Sequence, residues 1–362
     1  YTLSEYWNLI KKYKIIIGVI LLLVFFLEAR HILESYLFKV LVDKGTLFAA
    51  GTISKNVFVS VLLILLGVFS FIVISGFFGR WIEQHLVNVL ESKLIIDLKT
   101  KYFNHLIELD HSFHTSHKTG IIISRLARGS GGVEKITDVL VYEVISVVFS
   151  FIMVIASLIY FDFISAIIIF LIMLVFLSYS YFMQGITQKA NVISNYVEDK
   201  EKGDVSDIFT NVESIKYFGK ENFVKKKFSE IIENTKTAFI KYVGYFRWID
   251  SVHSLTLGIG TFLILYFPLM RFLNGEITLG TVVFIYTIYG TMIEPLYGFV
   301  YGLRNAYGAL ADFQSLFEYG KIKKKIEDAP NAKNLTIKQK EIEFKDVNFN
   351  YGNKKIFENL NL

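Results

Sequence analysis

The chain has 362 residues, 53% of them hydrophobic and 16% aromatic, with a formal net charge of +5. A mean hydropathy of +0.46 is more than a water-soluble domain of this length needs to fill a core, and it points to a bilayer. The lack of cysteine excludes disulfides, thiolate metal sites and a cysteine nucleophile, and so small and dispersed a positive charge leaves no footprint for nucleic acid.

Residues 1–14 (YTLSEYWNLIKKYK) set Leu3, Tyr6, Trp7 and Ile10 on one helical face and end in lysines. That pattern suits an interfacial elbow helix on the cytoplasmic leaflet, although a frayed start to the first span also fits. No small-residue cleavage site follows, so this is not a signal peptide, and the chain starts at Tyr1 rather than Met, so a few residues are expected upstream. Six apolar stretches, near 15–42, 57–78, 139–160, 164–182, 255–272 and 279–301, are long enough to span a bilayer. The segments 79–138 and 183–254 between them are long and rich in Lys and Arg, whereas 43–56, 161–163 and 273–278 are short. The positive-inside rule places the long segments and both chain ends in the cytoplasm.

The long segments read as helical arms. Leu86, Leu90, Leu94, Leu98 and Phe103 keep a three-to-four spacing, and at ~1.5 Å per residue arms of ~25–30 residues reach roughly 40 Å past the membrane. Polar tips interrupt them near 108–120 and 207–218. A charged linker, 321–340, follows the last span. Ile342, Phe344, Val347 and Phe349 then alternate with polar neighbours, Gly352-Asn353 marks a turn, and Phe357, Leu360 and Leu362 resume the apolar run. Residues 341–362 therefore read as the first strands of a soluble domain.

Several side chains stand out. Glu28, Arg30, His31 and Glu34 interrupt the first span. Ionisable groups at that depth face a cavity or each other. The spacing allows Arg30–Glu34 and Glu28–His31 pairs, so mutual neutralisation and a place in a substrate pathway are both open. Along the sixth span, Tyr286, Tyr289, Tyr297 and Tyr301 approximate one face, with Glu294 alongside. Such a stripe fits packing or a cavity for amphipathic molecules, and each hydroxyl needs a partner. His111, His114 and His117 form H-x2-H-x2-H at the first tip. That spacing drifts around a helix, so an interface with a soluble domain is favoured over an ion, and no metal site is assigned.

The order of six spans, two long cytoplasmic excursions, a charged linker and a Phe349-Asn350-Tyr351 strand resembles a half-transporter of the ABC exporter family over essentially the whole chain. The resemblance implies an all-α membrane protein: a six-helix exporter transmembrane domain (15–320) with long cytoplasmic arms, then the β-rich start of an α/β nucleotide-binding domain (341–362). It implies ATP-driven export by alternating access, with a second half-transporter, expected to be an identical copy, as partner, alongside membrane lipid and a small-molecule substrate, and with no nucleic acid. Tyr351 would stack on adenine. Phe113 and His114 at the first tip and Glu213, Ile215 and Lys216 at the second would act as coupling elements against nucleotide-binding domains. The phosphate-binding G-x-x-x-x-G-K-[ST] loop does not occur in these residues, so no catalytic residue is expected here. ATP and Mg2+ would be held by a part of that domain beyond Leu362, and this chain alone would not hydrolyse ATP. A bacterial cytoplasmic membrane is the expected location, with an organelle inner membrane as the alternative.

Arg128-Gly129, Gly131-Gly132 and the run Tyr217-Phe218-Gly219-Lys220-Glu221 are similar to the heavy-metal-tolerance and mitochondrial iron–sulfur-linked branch, which moves glutathione-derived compounds. The glycines also suit close helix packing. Thr187, Asn191 and Val192 stand where that branch carries arginines, and Tyr297 where it carries asparagine, so its substrate residues are not carried over. The cargo classes considered are a glutathione or metal conjugate and a hydrophobic drug or lipid. The rival from another class is a nucleotide-independent transporter or channel, which would account for the spans but not for the arms or the terminal strands.

Overall fold

The computed structural model describes residues 2–117, 119–324, 342–351 and 354–362. Its helices run α1 (Thr2–Ile10), α2 (Lys14–Ala49), α3 (Lys55–Ile107), α4 (His111–Ser116), α5 (Thr119–Asp138), α6 (Ser146–Phe161), α7 (Phe163–Thr210), α8 (Val212–Tyr217), α9 (Glu221–Leu273), α10 (Leu279–Thr291) and α11 (Ile293–Gly320). A π-helical segment, Val139–Ile145, joins α5 to α6. Among the described residues, six helical stretches are long and apolar enough to cross a membrane. Each expected span lies inside one of them.

The arms are continuations of the spans. α3 and α9 each run 53 residues and α7 runs 48, or roughly 70–80 Å at ~1.5 Å per residue. No proline interrupts α3 or α7, and the apolar stripe Leu90, Leu94, Leu98 and Leu106 on α3 is buried throughout. The sixth span is the exception, because it breaks at Met292 between α10 and α11. Pro295 supplies no N–H to the preceding turn, and its ring crowds the carbonyl four residues back.

Side chains set the helix starts. Ser54 accepts from the Val57 N–H, Asp162 from the Ser165 N–H and Thr278 from the Thr281 N–H, capping α3, α7 and α10. At the end of α8, Gly219 adopts φ +60, letting the Lys220 N–H reach the Ile215 carbonyl at 3.0 Å.

Two apolar cores form. One gathers α1, α2, α3, α4, α5 and α11 around Leu90, Leu94, Val133, Phe313 and Phe317. The other joins α6, α7, α9 and α10 around Leu158, Phe176, Ile264 and Phe284. α1 packs inward through Tyr6, Leu9 and Ile10, and the Tyr6 hydroxyl and Thr137 Oγ1 share a 2.8 Å hydrogen bond, while Trp7 stays exposed. Gly129 and Gly132 seat α5 on α11. A Cβ on Gly132 would lie 3.0 Å from Phe313 Cδ2 and 3.1 Å from the Ala309 carbonyl, so close packing accounts for both.

At the opposite end from the tips, Asp162 is buried and ion-paired with Arg271, which also bonds Glu276 at 2.7 Å. Beyond α11, β1 (Val347–Tyr351) and β2 (Lys354–Leu360) pair antiparallel, with Tyr351 opposite Lys354 and Val347 opposite Leu360. Most of the expected linker, residues 325–340, and the Gly352-Asn353 turn lie outside the described residues.

Candidate substrate cavity

The polar residues that interrupt the first span meet those of three other spans. Glu28, Arg30 and His31 of α2, Arg80 of α3, Glu143 of the π-helical segment, Ser146 of α6 and Glu294 of α11 line one cavity of about 600 Å³. The sixth span presents Thr287, Gly290, Thr291, Glu294 and Gly298 to it, a stripe with three-to-four spacing.

Glu28 is 8% exposed and accepts a hydrogen bond from Ser146. Arg30 Nε lies 3.5 Å and His31 Nδ1 3.6 Å from the Glu34 carboxylate. The expected Arg30–Glu34 pair therefore forms, but the Glu28–His31 pair does not. Ser146 takes Glu28 from the facing helix, and Glu34 faces both Arg30 and His31. Arg80 Nη1 pairs with the buried Glu83 at 3.1 Å. By contrast, among the described residues neither Glu143 nor Glu294 has an ion-pair partner. The Glu143 side chain lies against α11 where Gly298 and Gly302 leave room; a Cβ on Gly298 would collide with its carboxylate and one on Gly302 with its Cγ. The wider π turn re-aims this part of the span toward α11, a recurrent device at functional sites. The cavity thus shows both signs of charge: two guanidiniums and an imidazole facing three carboxylates.

The tyrosines expected alongside lie elsewhere. Tyr289 is 3% exposed and donates to the Leu257 carbonyl at 2.8 Å, inside the second core. Tyr286 faces outward. Tyr297 packs edge-on against Phe176 and His253. Tyr301 donates to Asp250 at 3.3 Å. Of the eight expected pathway residues, Glu28, Arg30, His31 and Glu294 come together and the four tyrosines do not. Tyr289→Phe is expected to lose about 1 kcal/mol of stability, one net hydrogen bond, and to leave substrate dependence unchanged; a shifted half-saturating substrate concentration would contradict its placement in the core. Arg80, Glu143 and Ser146 were missed. Glu143 was legible as an ionisable residue inside an apolar run, while Arg80 was hidden because it follows the end of one.

The two tips differ. Phe113 on α4 is 6% exposed, stacked on His117 at 4.3 Å and edge-on to Tyr319 of α11 at 5.5 Å, so it anchors the tip to its own chain. His114 is exposed. On α8, Glu213 and Lys216 are exposed and Ile215 is half-buried, while the neighbouring Tyr217 and Phe218 are 84% and 78% exposed. Lys324, just after α11, donates to Glu108 beside the first tip and holds that carboxyl below the usual carboxylate range. The tie is present at neutral pH and is lost as pH falls through the lowered pKa. Tyr351 ends β1, and its side chain lies outside the described residues.

A family model of the ABC transporter transmembrane region matches residues 17–296. The chain is 25% identical over 262 residues to the mitochondrial iron–sulfur clusters transporter ATM1 of Yarrowia lipolytica, covering 72% of this chain and 37% of that protein. It is 27% identical over 281 residues to the Neurospora crassa transporter of the same description, covering 75% and 39%, and 26% identical over 270 residues to ABC transporter B family member 6 of Dictyostelium discoideum, covering 72% and 39%. It therefore spans about two fifths of the length of these relatives. The structure of a bacterial Atm1-family ABC exporter with ATP bound superposes with a TM-score of 0.74 at 17% identity, covering 96% of this chain and 61% of that one, a likeness of fold. With a match over most of its length and six helices able to span a bilayer, the chain is an integral, multi-pass membrane protein and belongs to the ABC transporter transmembrane region family.

Proposed function

We propose that this chain is one half of a dimeric, ATP-driven exporter, and that the mixed-charge cavity is where it holds a zwitterionic, peptide-sized cargo such as a glutathione conjugate. The observation that carries this reading is the pairing of Arg30 and Arg80 with the unpaired Glu143 and Glu294 in one cavity. Guanidinium forks suit carboxylates, and carboxylates without an ion-pair partner suit an ammonium group. A molecule bearing both signs satisfies both. The relatives' description as iron–sulfur clusters transporters supports a sulfur-containing cargo.

Transport would follow alternating access, driven by a difference in cargo affinity between inward- and outward-open states. Nucleotide-binding domains would hold ATP and Mg2+, with Tyr351 against adenine, and would move the arms through the α8 tip, where Glu213, Ile215 and Lys216 sit beside exposed Tyr217 and Phe218. Phe113 would keep α4 fixed to α11 while that force is applied, with His114 facing the soluble domain. Residues 1–14 would lie as an elbow at the cytoplasmic surface, 321–340 would link the two domains, and a bacterial cytoplasmic membrane is the favoured location over an organelle membrane.

A second cavity, about 750 Å³, lined by Tyr181, Phe182, Val192 and Tyr307 with Gln184, Gln188 and Lys189, favours a hydrophobic drug or lipid as the other cargo reading. ATPase activity of the full-length protein in lipid nanodiscs separates the two. Saturable stimulation by oxidised glutathione or its metal conjugates is expected. Stimulation by hydrophobic amines or lipids alone would move the cargo site to the aromatic cavity, and hydrolysis blind to every compound would sink both readings.

A further inference from the structure

Arg30 reaches across the α2–α3 interface. Its guanidinium lies on Gly76 of α3, where a Cβ would overlap it, so glycine holds this passage open. Between the same two helices lies an apolar groove of about 390 Å³ with Leu27, Ile72 and Gly79 in its lining and Arg30 at one end. Its rim residues Phe26, Phe71 and Phe78 are 77%, 71% and 56% exposed, so it opens sideways, away from the two cores. A second hollow of about 480 Å³ adjoins it, where Arg30 and Arg80 share a lining with Phe77, Trp81 and Gln84.

Each arginine already has one carboxylate neighbour, Glu34 for Arg30 and Glu83 for Arg80. Neither carboxylate lines the groove or the hollow. A guanidinium carries five N–H donors, more than one carboxylate can take, and Arg30 Nε, although buried, makes no hydrogen bond. Two cations with donors to spare therefore stand at the head of a groove whose body is hydrocarbon.

We propose that this groove is a lateral binding site for an anionic phospholipid, with the phosphate on the Arg30 and Arg80 forks and one acyl chain along the groove past Phe26, Phe71 and Phe78. A free phosphate would leave the groove empty, and a zwitterionic lipid would bring its own cation to the two arginines. Because Arg30 and Arg80 both also line the polar cavity, the lipid and the cargo would share both side chains, and lipid occupancy would set where those guanidiniums sit.

The test uses the purified protein in nanodiscs containing phosphatidylglycerol or phosphatidylcholine with a photoreactive diazirine in one acyl chain, followed by peptide mapping. Phosphatidylglycerol is expected to label the segments 23–33 and 71–82 about fivefold more than phosphatidylcholine at equal mole fraction. Arg80→Gln should lower that preference, and inorganic phosphate should not compete. Ser75→Phe, which fills the groove from its exposed side and keeps both arginines, should remove the labelling. Equal labelling by both lipids that Arg80→Gln leaves unchanged would overturn the proposal. So would competition by inorganic phosphate, which reduces the site to an anion site, or labelling by neither lipid, which means that a second copy covers the groove. Labelling reads neither ATP hydrolysis nor export, so its failure leaves the proposed function standing.

Discussion

Replacing Arg271 with alanine is expected to destabilise the protein by about 3 kcal/mol, because it strands a buried carboxylate. Asp162 is 3% exposed and sits between α6 and α7. It caps α7 through the Ser165 N–H and hydroxyl and accepts the Arg271 guanidinium from the end of α9. Without Arg271 the serine remains but the charge is uncompensated, and desolvation then outweighs what two neutral donors return. The thermal midpoint of the purified protein should fall by several degrees, and Arg271→Lys, which keeps the charge but not the planar fork, should fall less. A midpoint unchanged by Arg271→Ala would mean that water reaches Asp162.

The second large effect concerns Glu143. None of the three carboxylates in the polar cavity has an ion-pair partner among the described residues; Glu28 accepts from Ser146, whereas Glu143 fits only because positions 298 and 302 are glycine. If it receives the cargo's ammonium group, Glu143→Gln removes one charge-assisted contact, worth about 1.5–3 kcal/mol. That corresponds to at least a tenfold rise in the half-saturating concentration of a zwitterionic cargo. Gly298→Leu should have an effect as large for a different reason, since its side chain would occupy the space of that carboxylate and part of the cavity. A hydrophobic cargo seated at Tyr181 and Tyr307 would be indifferent to both changes.

Much of this architecture was legible in the chain. The apolar runs gave the spans, because a bilayer leaves the backbone no other way to cross it. The polar cavity was legible in part. Glu28, Arg30 and His31 announced themselves by their depth, and Glu294 by its place alongside the tyrosines of the sixth span. What could not be read was direction. Tyr289 and Glu294 lie on the same span five residues apart, yet one is core and the other lines the cavity, because five residues turn a helix by about 140° and so aim the two side chains at different faces. Nor could spacing distinguish Phe113 turned inward onto Tyr319 from Phe218 turned outward, since both are aromatic residues at a polar tip. The Asp162–Arg271 pair links residues 109 apart, a partnership that only the packed helices reveal.

The measurement that bears most directly on the account is ATP-dependent uptake of labelled oxidised glutathione into inside-out vesicles carrying the full-length protein. The account predicts saturable uptake that needs hydrolysable ATP and that Glu143→Gln shifts to higher concentration. Uptake that is absent under conditions where a hydrophobic amine is transported, or that Glu143→Gln leaves untouched, would contradict the assignment of the mixed-charge cavity as the cargo site.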